Sequence, residues 1–359
     1  MRHNLLVYGA VCGGAFLVVV ALTPLFRLLA QRLDIVDRPL AARKVHQRAV
    51  PYLGGLPFFI AFLVVILGIE ALAPQFAQPA FYPMAGIGFL IVLIGVYDDV
   101  LDLSSKIKLP LELVLCGALC FWGLYSTDIA HPFGGVLHLG WLAVIITAFW
   151  VAGVANAVNF TDGLDGLAAG LVCICAIAMF AIAYTGGQVA SCIVMAFLIG
   201  ATLGFLCYNF NPASVFMGDA GALFLGFILG ASTLMEQQKG AAVIALTVPM
   251  MVMAVPLADT GLSFLRRLRR ARQGQFFEPD RDHLHHRLLD LGLNQRQVVL
   301  ALYYVSACMG LLAFILSGVS DVYRFLTLIL AAAAVGGGVI VLRYVEDLAH
   351  GRKKNDSDP

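Results

Sequence analysis

The chain has 359 residues, of which 60% are hydrophobic and 13% are charged, and its mean hydropathy is +0.89. This composition predicts a membrane protein, and the long unbroken apolar runs argue against a β-barrel, whose strands alternate between apolar and polar residues. A net charge of +1 and the lack of any nucleic-acid-binding motif give no reason to expect a nucleic-acid partner.

Eleven apolar runs are long enough to suggest membrane-spanning helices, because a bilayer core about 30 Å thick needs roughly 20 residues per helix. We therefore predict an all-α integral membrane protein, a polytopic bundle of about eleven transmembrane helices. Only a short turn around Gly186 and Gly187 separates the sixth and seventh runs, which leaves ten spans as an alternative. The runs lie at about 5–29, 53–73, 83–97, 109–125, 141–157, 166–185, 189–207, 221–236, 241–258, 298–317 and 322–343.

The basic residues predict the orientation, since Lys and Arg stay preferentially on the cytoplasmic side. They concentrate in alternate loops, which places the N-terminus outside, the C-terminus in the cytoplasm and a catalytic cleft on the cytoplasmic face. Residues 1–349 are expected to form one domain, followed by a polar cytoplasmic tail at 350–359. The predicted cytoplasmic loops are at about 30–52, 98–108, 156–165, 208–220 and 259–297.

The loop after the third run, YDDVLDLSSKIKLP, carries Asp98, Asp99, Asp102 and Lys108. Carboxylates at a helix C-terminus face the negative end of the helix dipole and are mildly unfavourable there, so these acids suggest more than a span end. Asp102 would share a helix face with Asp98 if the helix continues that far. Acids this close raise one another's pKa or recruit a cation.

The loop after the fifth run, NAVNFTDGLDG, carries Asn156 and Asn159 on one helix face, followed by Asp162 and Asp165. Asp165 could be the N-cap of the sixth helix. Capping explains one aspartate but not the whole stretch, and the glycines would let the backbone approach a ligand.

The loop after the seventh run, NPASVFMGDAG, ends at Asp219, which could be the N-cap of the eighth helix. The alternative is a metal site, because a carboxylate and an amide oxygen are ligands that Mg²⁺ prefers, with substrate phosphates completing the octahedron. Asn159 and Asp219 could supply that pair.

The loop after the ninth run contains PDRDHLHHRLLDLG, with His283, His285, His286 and Arg287. Contact with an anion fits these residues best beside magnesium-type ligands. A zinc site and a solvated charged loop are the alternatives. The basic run at 265–274 is expected to contact the anionic headgroups of membrane lipids.

Together these segments resemble the polyprenyl-phosphate N-acetylhexosamine-1-phosphate transferases of bacterial envelope synthesis. The resemblance rests on RKVHQRAVPYLGG, DDVLDLSSKIKLP, NAVNFTDGLDGLAAG, NPASVFMGDAG, PLADT and DHLHHR, which occur in family order between residues 43 and 287. It implies transfer of GlcNAc-1-phosphate from UDP-GlcNAc to undecaprenyl phosphate at the bacterial inner membrane, with release of UMP. Another UDP-N-acetylated sugar or UDP-MurNAc-pentapeptide is the alternative donor, and a secondary transporter is a remote alternative.

The resemblance also implies roles for particular residues. Mg²⁺, or Mn²⁺ in its place, would be held by Asn159 and Asp219. Asp98 and Asp99 would act near the lipid phosphate, and Asp162 joins them as a candidate catalytic residue. Phosphate or nucleotide-sugar contacts are expected from Lys44, Lys108, Asp165, His283, His285, His286 and Arg287. A homodimer is compatible with the family but not specified by the sequence.

Overall fold

The computed structural model describes residues 2–37, 50–125, 128–130, 136–237, 250–251, 253–254, 257, 261, 287–289 and 291–317. The predictions for the run at 322–343, for most of the run at 241–258, for the basic segment at 265–274 and for the tail lie outside these residues. The same holds for Lys44, His283, His285 and His286.

The described part of the chain is a bundle of nine α-helices with two small antiparallel ribbons. The helices are α1 (Arg2–Arg32), α2 (Leu56–Leu72), α3 (Phe81–Leu101), α4 (Ser105–Ala118), α5 (Leu142–Thr161), α6 (Leu167–Thr185), α7 (Val189–Asn209), α8 (Gly218–Gln237) and α9 (Gln295–Ser317). One ribbon pairs β1 (Val36–Asp37) with β2 (Val50–Pro51), and the other pairs β3 (Asp128–Ala130) with β4 (Val136–His138).

Seven of the described helices, all except α2 and α4, are long and apolar enough to cross a membrane. This agrees with the predicted all-helical, polytopic membrane protein. Helix α4 has only 14 residues and continues as a 3-10 turn over Leu119–Trp122, so the fourth predicted run is a shorter and less regular helix than expected. Two predicted runs lie wholly or largely outside the described residues, so eleven spans stays a prediction.

The sixth and seventh runs form two separate helices, as predicted from their glycine pair. Helix α6 ends at Thr185 and α7 begins at Val189. Gly187 takes a positive φ of 68°, which glycine adopts without the steric cost that a side chain would impose.

Close contacts at glycines show how the helices run relative to one another. A Cβ added at Gly226 or Gly230 of α8 would meet Ala155 or Val151 of α5, so these two helices are antiparallel. Helix α3 packs on α8 in the same way, through Gly95 against Ala220. Helices α3, α5 and α7 therefore end where α8 begins. We call this the polar end of the bundle.

Helix α1 packs parallel to α7, so it also ends at the polar end. A Cβ added at Gly200 would lie 2.0 Å from the Cys12 carbonyl oxygen, and one added at Gly204 would lie 2.8 Å from that of Phe16. One turn further, the Tyr208 hydroxyl donates a hydrogen bond to the Val20 carbonyl at 3.0 Å. Such contacts between small residues and backbone are how helices associate in lipid, where the hydrophobic effect gives them little attraction for one another.

The centre of the bundle is filled with aromatic side chains from α2, α7 and α8. Phe58 packs against Phe205, and Phe62 packs against Phe197, each pair with ring centroids 5.0 Å apart. All four rings are buried, whereas many leucines of α1 and α3 are exposed on the outer surface, where lipid would contact them. This core fixes the positions from which the polar end is built.

We predict that Gly95→Ala destabilises the bundle. The added methyl would lie 2.4 Å from Ala220 Cα, so the backbone must move, and overpacking of this kind typically costs about 1–3 kcal/mol. The measurement is the temperature of thermal aggregation of the detergent-solubilised protein. Gly86→Ala in the same helix is the matched control, since nothing lies within 4 Å of its added methyl. Equal aggregation temperatures for the two variants would contradict the predicted destabilisation.

Candidate active site

Side chains from three helices meet at the polar end. Lys108, in the first turn of α4, donates a hydrogen bond from Nζ to Asp98 Oδ2 at 2.6 Å and another to Asp219 Oδ2. Asp98 lies in the last turn of α3 and Asp219 in the first turn of α8. The structure thus brings together the end of α3 and the starts of α4 and α8, although Lys108 and Asp219 are 111 positions apart in the sequence.

The N-terminus of α8 is capped by a residue from another helix. Asp99 Oδ1 accepts a hydrogen bond from the Asp219 N–H at 2.8 Å, and Asp99 Oδ2 accepts one from the Ala220 N–H at 3.3 Å. The negative charge of Asp99 also lies at the positive end of the helix dipole. The alternative that Asp219 is the N-cap is wrong, because α8 already begins at Gly218. The Asp219 carboxylate instead bonds Lys108.

Gly218 allows this cap to form. Its φ is +67°, and a Cβ added there would lie 2.4 Å from Asp99 Oδ2. A side chain at this position would therefore be strained by its backbone conformation and would also displace the capping carboxylate.

Asp102 does not share a helix face with Asp98, because α3 ends one residue earlier, at Leu101. Asp102 adopts a left-handed conformation with φ 55°, and its N–H donates to the Asp98 carbonyl at 2.9 Å. The chain then turns back, so that the Leu103 N–H donates to Asp98 Oδ1 at 2.6 Å. Both carboxylate oxygens of Asp98 accept hydrogen bonds, which fixes the orientation of its side chain.

The electrostatics of the polar end follow from its excess of acids. Burial alone would lower the pKa of Lys108, but the neighbouring Asp219 and Asp98 outweigh it and raise that pKa, so the ammonium stays protonated. Burial, together with the charges of Asp219, Asp99 and Asp165, raises the pKa of Asp162 well above its usual range.

Asn159 lies in the last turn of α5 and is brought towards Asp219 by the antiparallel packing of α5 and α8. Continuing the register of their contacts places Asp219 level with Asp162, three residues and roughly 4–5 Å along the helix axis from Asn159. Asn159 Nδ2 is buried and has no hydrogen-bond partner among the described residues. An asparagine binds Mg²⁺ through its Oδ1, and an amide oxygen together with a carboxylate is a donor set that fits this ion.

Within the described ranges, no group of three or more His, Cys, Asp or Glu side chains is placed to hold a metal ion by itself. Mg²⁺ does not require such a group, because it commonly takes one or two carboxylates and completes its shell with phosphate oxygens and water.

Asp165 binds the loop between α7 and α8. Its Oδ2 accepts hydrogen bonds from Asn211 Nδ2 and from the Ala213 N–H, each at 2.9 Å. It is not the N-cap of α6, since that position is Gly166, whose N–H donates to Asn209 Oδ1 at 3.0 Å. Asp165 therefore fixes the loop that leads to Asp219.

Some polar residues near the site were not singled out from the sequence. Tyr52, at the end of β2, has its pKa raised to about 12 by burial and by Asp99, Asp162 and Asp219, so its hydroxyl remains a hydrogen-bond donor. Arg296, at the start of α9, donates to the Asn211 carbonyl at 2.9 Å. Glu112 on α4 bonds Asn156 on α5. The spacing of Glu112 four residues after Lys108 was a signal that could have identified it.

Arg287 is the one residue of the predicted histidine-and-arginine group within the described ranges, and it is half-buried. The roles predicted for Arg287, Lys44 and the three histidines stay predictions.

Comparison with known proteins agrees with the motifs. A glycosyl transferase family 4 model matches residues 81–237. The chain is 34% identical to a probable undecaprenyl-phosphate N-acetylglucosaminyl 1-phosphate transferase of Bacillus subtilis, and the match covers 84% of this chain and 83% of that protein. It is 35% identical to a decaprenyl-phosphate N-acetylglucosaminephosphotransferase of Mycobacterium tuberculosis, and this match covers 80% of this chain and 76% of that protein.

A third relative is a phospho-N-acetylmuramoyl-pentapeptide-transferase of Streptococcus pneumoniae, 38% identical over 55% of this chain and 63% of that protein. The first two relatives are matched over most of their own length, and the motifs predicted the same grouping. The chain therefore belongs to the polyprenyl-phosphate N-acetylhexosamine-1-phosphate transferases of glycosyl transferase family 4.

Proposed function

We propose that this protein transfers GlcNAc-1-phosphate from UDP-GlcNAc to undecaprenyl phosphate, giving undecaprenyl-diphosphate-GlcNAc and UMP. The observation that carries the proposal is the Lys108 ammonium held between Asp98 and Asp219 at the polar end. The names of the Bacillus subtilis and Mycobacterium tuberculosis relatives support the donor sugar and the lipid acceptor. The reaction would be the first membrane step of an envelope polysaccharide pathway.

The reaction joins a lipid phosphate to a diphosphate, so repulsion between two anions is its main obstacle. Lys108 would offset part of this negative charge from a position fixed by two carboxylates. Asn159 and Asp219 would hold Mg²⁺, with Mn²⁺ as a substitute, and the bound ion would neutralise the diphosphate and the departing UMP. Asp99 would fix the Asp219 backbone through the α8 cap.

Asp98 would orient the acceptor phosphate and accept any residual proton from it. The second pKa of a phosphate monoester is about 6, so most acceptor molecules are already ionised at neutral pH and need little help from a base. The two hydrogen bonds that Asp98 accepts support the orienting role.

The polar end would face the cytoplasm at the headgroup level of the inner membrane, where the water-soluble donor can meet the lipid phosphate. The polyprenyl tail would remain in lipid between helices. Lys44, Asp165, Arg287 and the three histidines at 283, 285 and 286 would contact the nucleotide-sugar or its phosphates. Residues 1–349 would form this catalytic domain, and 350–359 a polar tail.

One observation supports UDP-MurNAc-pentapeptide as an alternative donor, namely the match to the pneumococcal phospho-N-acetylmuramoyl-pentapeptide-transferase. That match covers 55% of this chain, whereas the relatives named for N-acetylglucosamine cover 80% or more. UDP-GlcNAc is therefore the donor that we propose.

The direct test is incubation of the purified protein with radiolabelled UDP-GlcNAc, undecaprenyl phosphate and Mg²⁺. We expect label in the extracted lipid and one UMP released per labelled lipid. Parallel reactions contain UDP-GalNAc or UDP-MurNAc-pentapeptide as donor. Faster turnover of UDP-MurNAc-pentapeptide would reassign the donor, and the absence of any labelled lipid would reject the transferase proposal.

The metal proposal predicts that chelation abolishes turnover and that Mg²⁺ restores it while Zn²⁺ does not. Asp219→Asn should lower kcat/KM by about 10²–10³-fold, since it removes a preorganised charge from the transition state. Restoration by Zn²⁺ alone, or full activity of Asp219→Asn, would contradict the proposed ligand set.

The charge of Lys108 should matter more than that of its exposed neighbour. Lys108→Ala is expected to lower kcat by about 10²–10³-fold, because two carboxylates would lose the cation between them. Lys106→Ala, two residues earlier in the same helix turn, is the matched control and should leave kcat nearly unchanged. Equal losses in the two variants would indicate a general effect of basic charge rather than a role for Lys108 in the reaction.

A further inference from the structure

Glu112 is a fully buried acid that the proposed reaction does not use. It is 0% exposed, and its Oε2 accepts a hydrogen bond from Asn156 Nδ2. Its other oxygen, Oε1, is also buried and has no hydrogen-bond partner among the described residues. A buried carboxyl group that is only half satisfied is costly, and acids within apolar helices are usually kept for a function.

The contact between Glu112 and Asn156 lies one helical turn from the site on both helices. Glu112 follows Lys108 by four residues on α4, and Asn156 precedes Asn159 by three residues on α5, so each pair shares a helix face. Asn156 Nδ2 also donates to the Ala152 carbonyl at 2.9 Å, which restricts its side chain. The Glu112 carboxyl therefore lies on the same face of α4 as Lys108, one turn further from the start of the helix.

The packing of α4 on α5 is open beyond this contact. A groove of about 540 Å³ separates the two helices, lined mainly by apolar residues that include Leu113, Phe121, Val144 and Phe149. Along this groove Gly117 of α4 faces Ala148 of α5, and a Cβ added at Gly117 would lie 3.4 Å from the Ala148 side chain, an ordinary van der Waals contact. Apolar contacts of this kind do not fix the orientation of one helix on another as a directional hydrogen bond does, so the bond to Asn156 sets the position of α4 on α5 near the site.

We propose that Glu112 is a positioning residue, which through Asn156 fixes Asn159 relative to Lys108. It acts on the orientation of the proposed metal ligand and touches no reacting atom. This inference rests on the proposed function, since it concerns the same metal site.

The test measures Mn²⁺ binding to the purified full-length protein by electron paramagnetic resonance, in the absence of substrates. Glu112→Ala and Asn156→Ala should each weaken Mn²⁺ binding by about 10–100-fold, the usual effect of removing a group that orients a metal ligand. The double variant should be no weaker than either single variant, because both changes remove the same contact.

Glu112→Gln keeps an oxygen that can accept the Asn156 hydrogen bond, so its Mn²⁺ affinity should stay within about threefold of wild type. Glu70→Ala is the matched control, because Glu70 accepts a hydrogen bond from Tyr82 on α3 and lies near the end of α2 opposite the site. In steady-state assays, kcat should be lower in Glu112→Ala and Asn156→Ala than in the wild type, and close to the wild-type value in Glu112→Gln.

Unchanged Mn²⁺ affinity in Glu112→Ala, additive effects in the double variant, or no Mn²⁺ binding by the wild type would overturn the proposal. If Glu112→Ala does not fold, Asn156→Ala decides, since its side chain is only partly buried. Failure of both variants to fold would assign the contact to stability alone. A wild-type protein that binds Mn²⁺ but forms no lipid product would reject the proposed reaction and leave the positioning role standing.

Discussion

The ion pairs of Lys108 with Asp98 and Asp219 are the interaction on which the rest of the site depends. Each carboxylate, taken alone at the end of an apolar helix, would be expensive to remove from water. With the ammonium between them, the acids from the ends of two different helices can lie side by side at the boundary of the bundle. The same three groups then form a compact charged surface suited to a phosphate-containing substrate and a divalent cation.

This charged surface depends on close packing deeper in the bundle. Gly95 lets the end of α3 approach the backbone of α8 at Ala220, and Gly55 lets the start of α2 approach Gly221. Asp99 then reaches the first N–H groups of α8 and satisfies them. The direction of the Asp219 side chain is therefore a result of helix packing. The charged groups of the site are held in place by the close helix contacts at Gly95 and Gly55.

The sequence predicted the helices and the segments that carry polar residues, because apolar runs and glycine turns are local signals. It predicted the end of α6 at the glycine pair and the location of Asp98, Lys108 and Asp219 at one end of the bundle. It could not show that the cap of α8 comes from Asp99, since a helix-end preference assigns capping to a neighbour in the chain, and here a tertiary contact supplies it. For the same reason Asp165 looked like a cap of α6, whereas it binds Asn211 and Ala213.

The parallel packing of α1 on α7 has a consequence for biogenesis. The Tyr208–Val20 hydrogen bond joins residues 188 positions apart, so the first helix meets its main partner only after most of the bundle has been made. At synthesis rates of about 5–20 residues per second, that interval is on the order of ten seconds or longer. Throughout it, the side of α1 that later packs on α7 must be covered by lipid or by the insertion machinery. Assembly of the bundle therefore includes a late step in which α1 packs on α7.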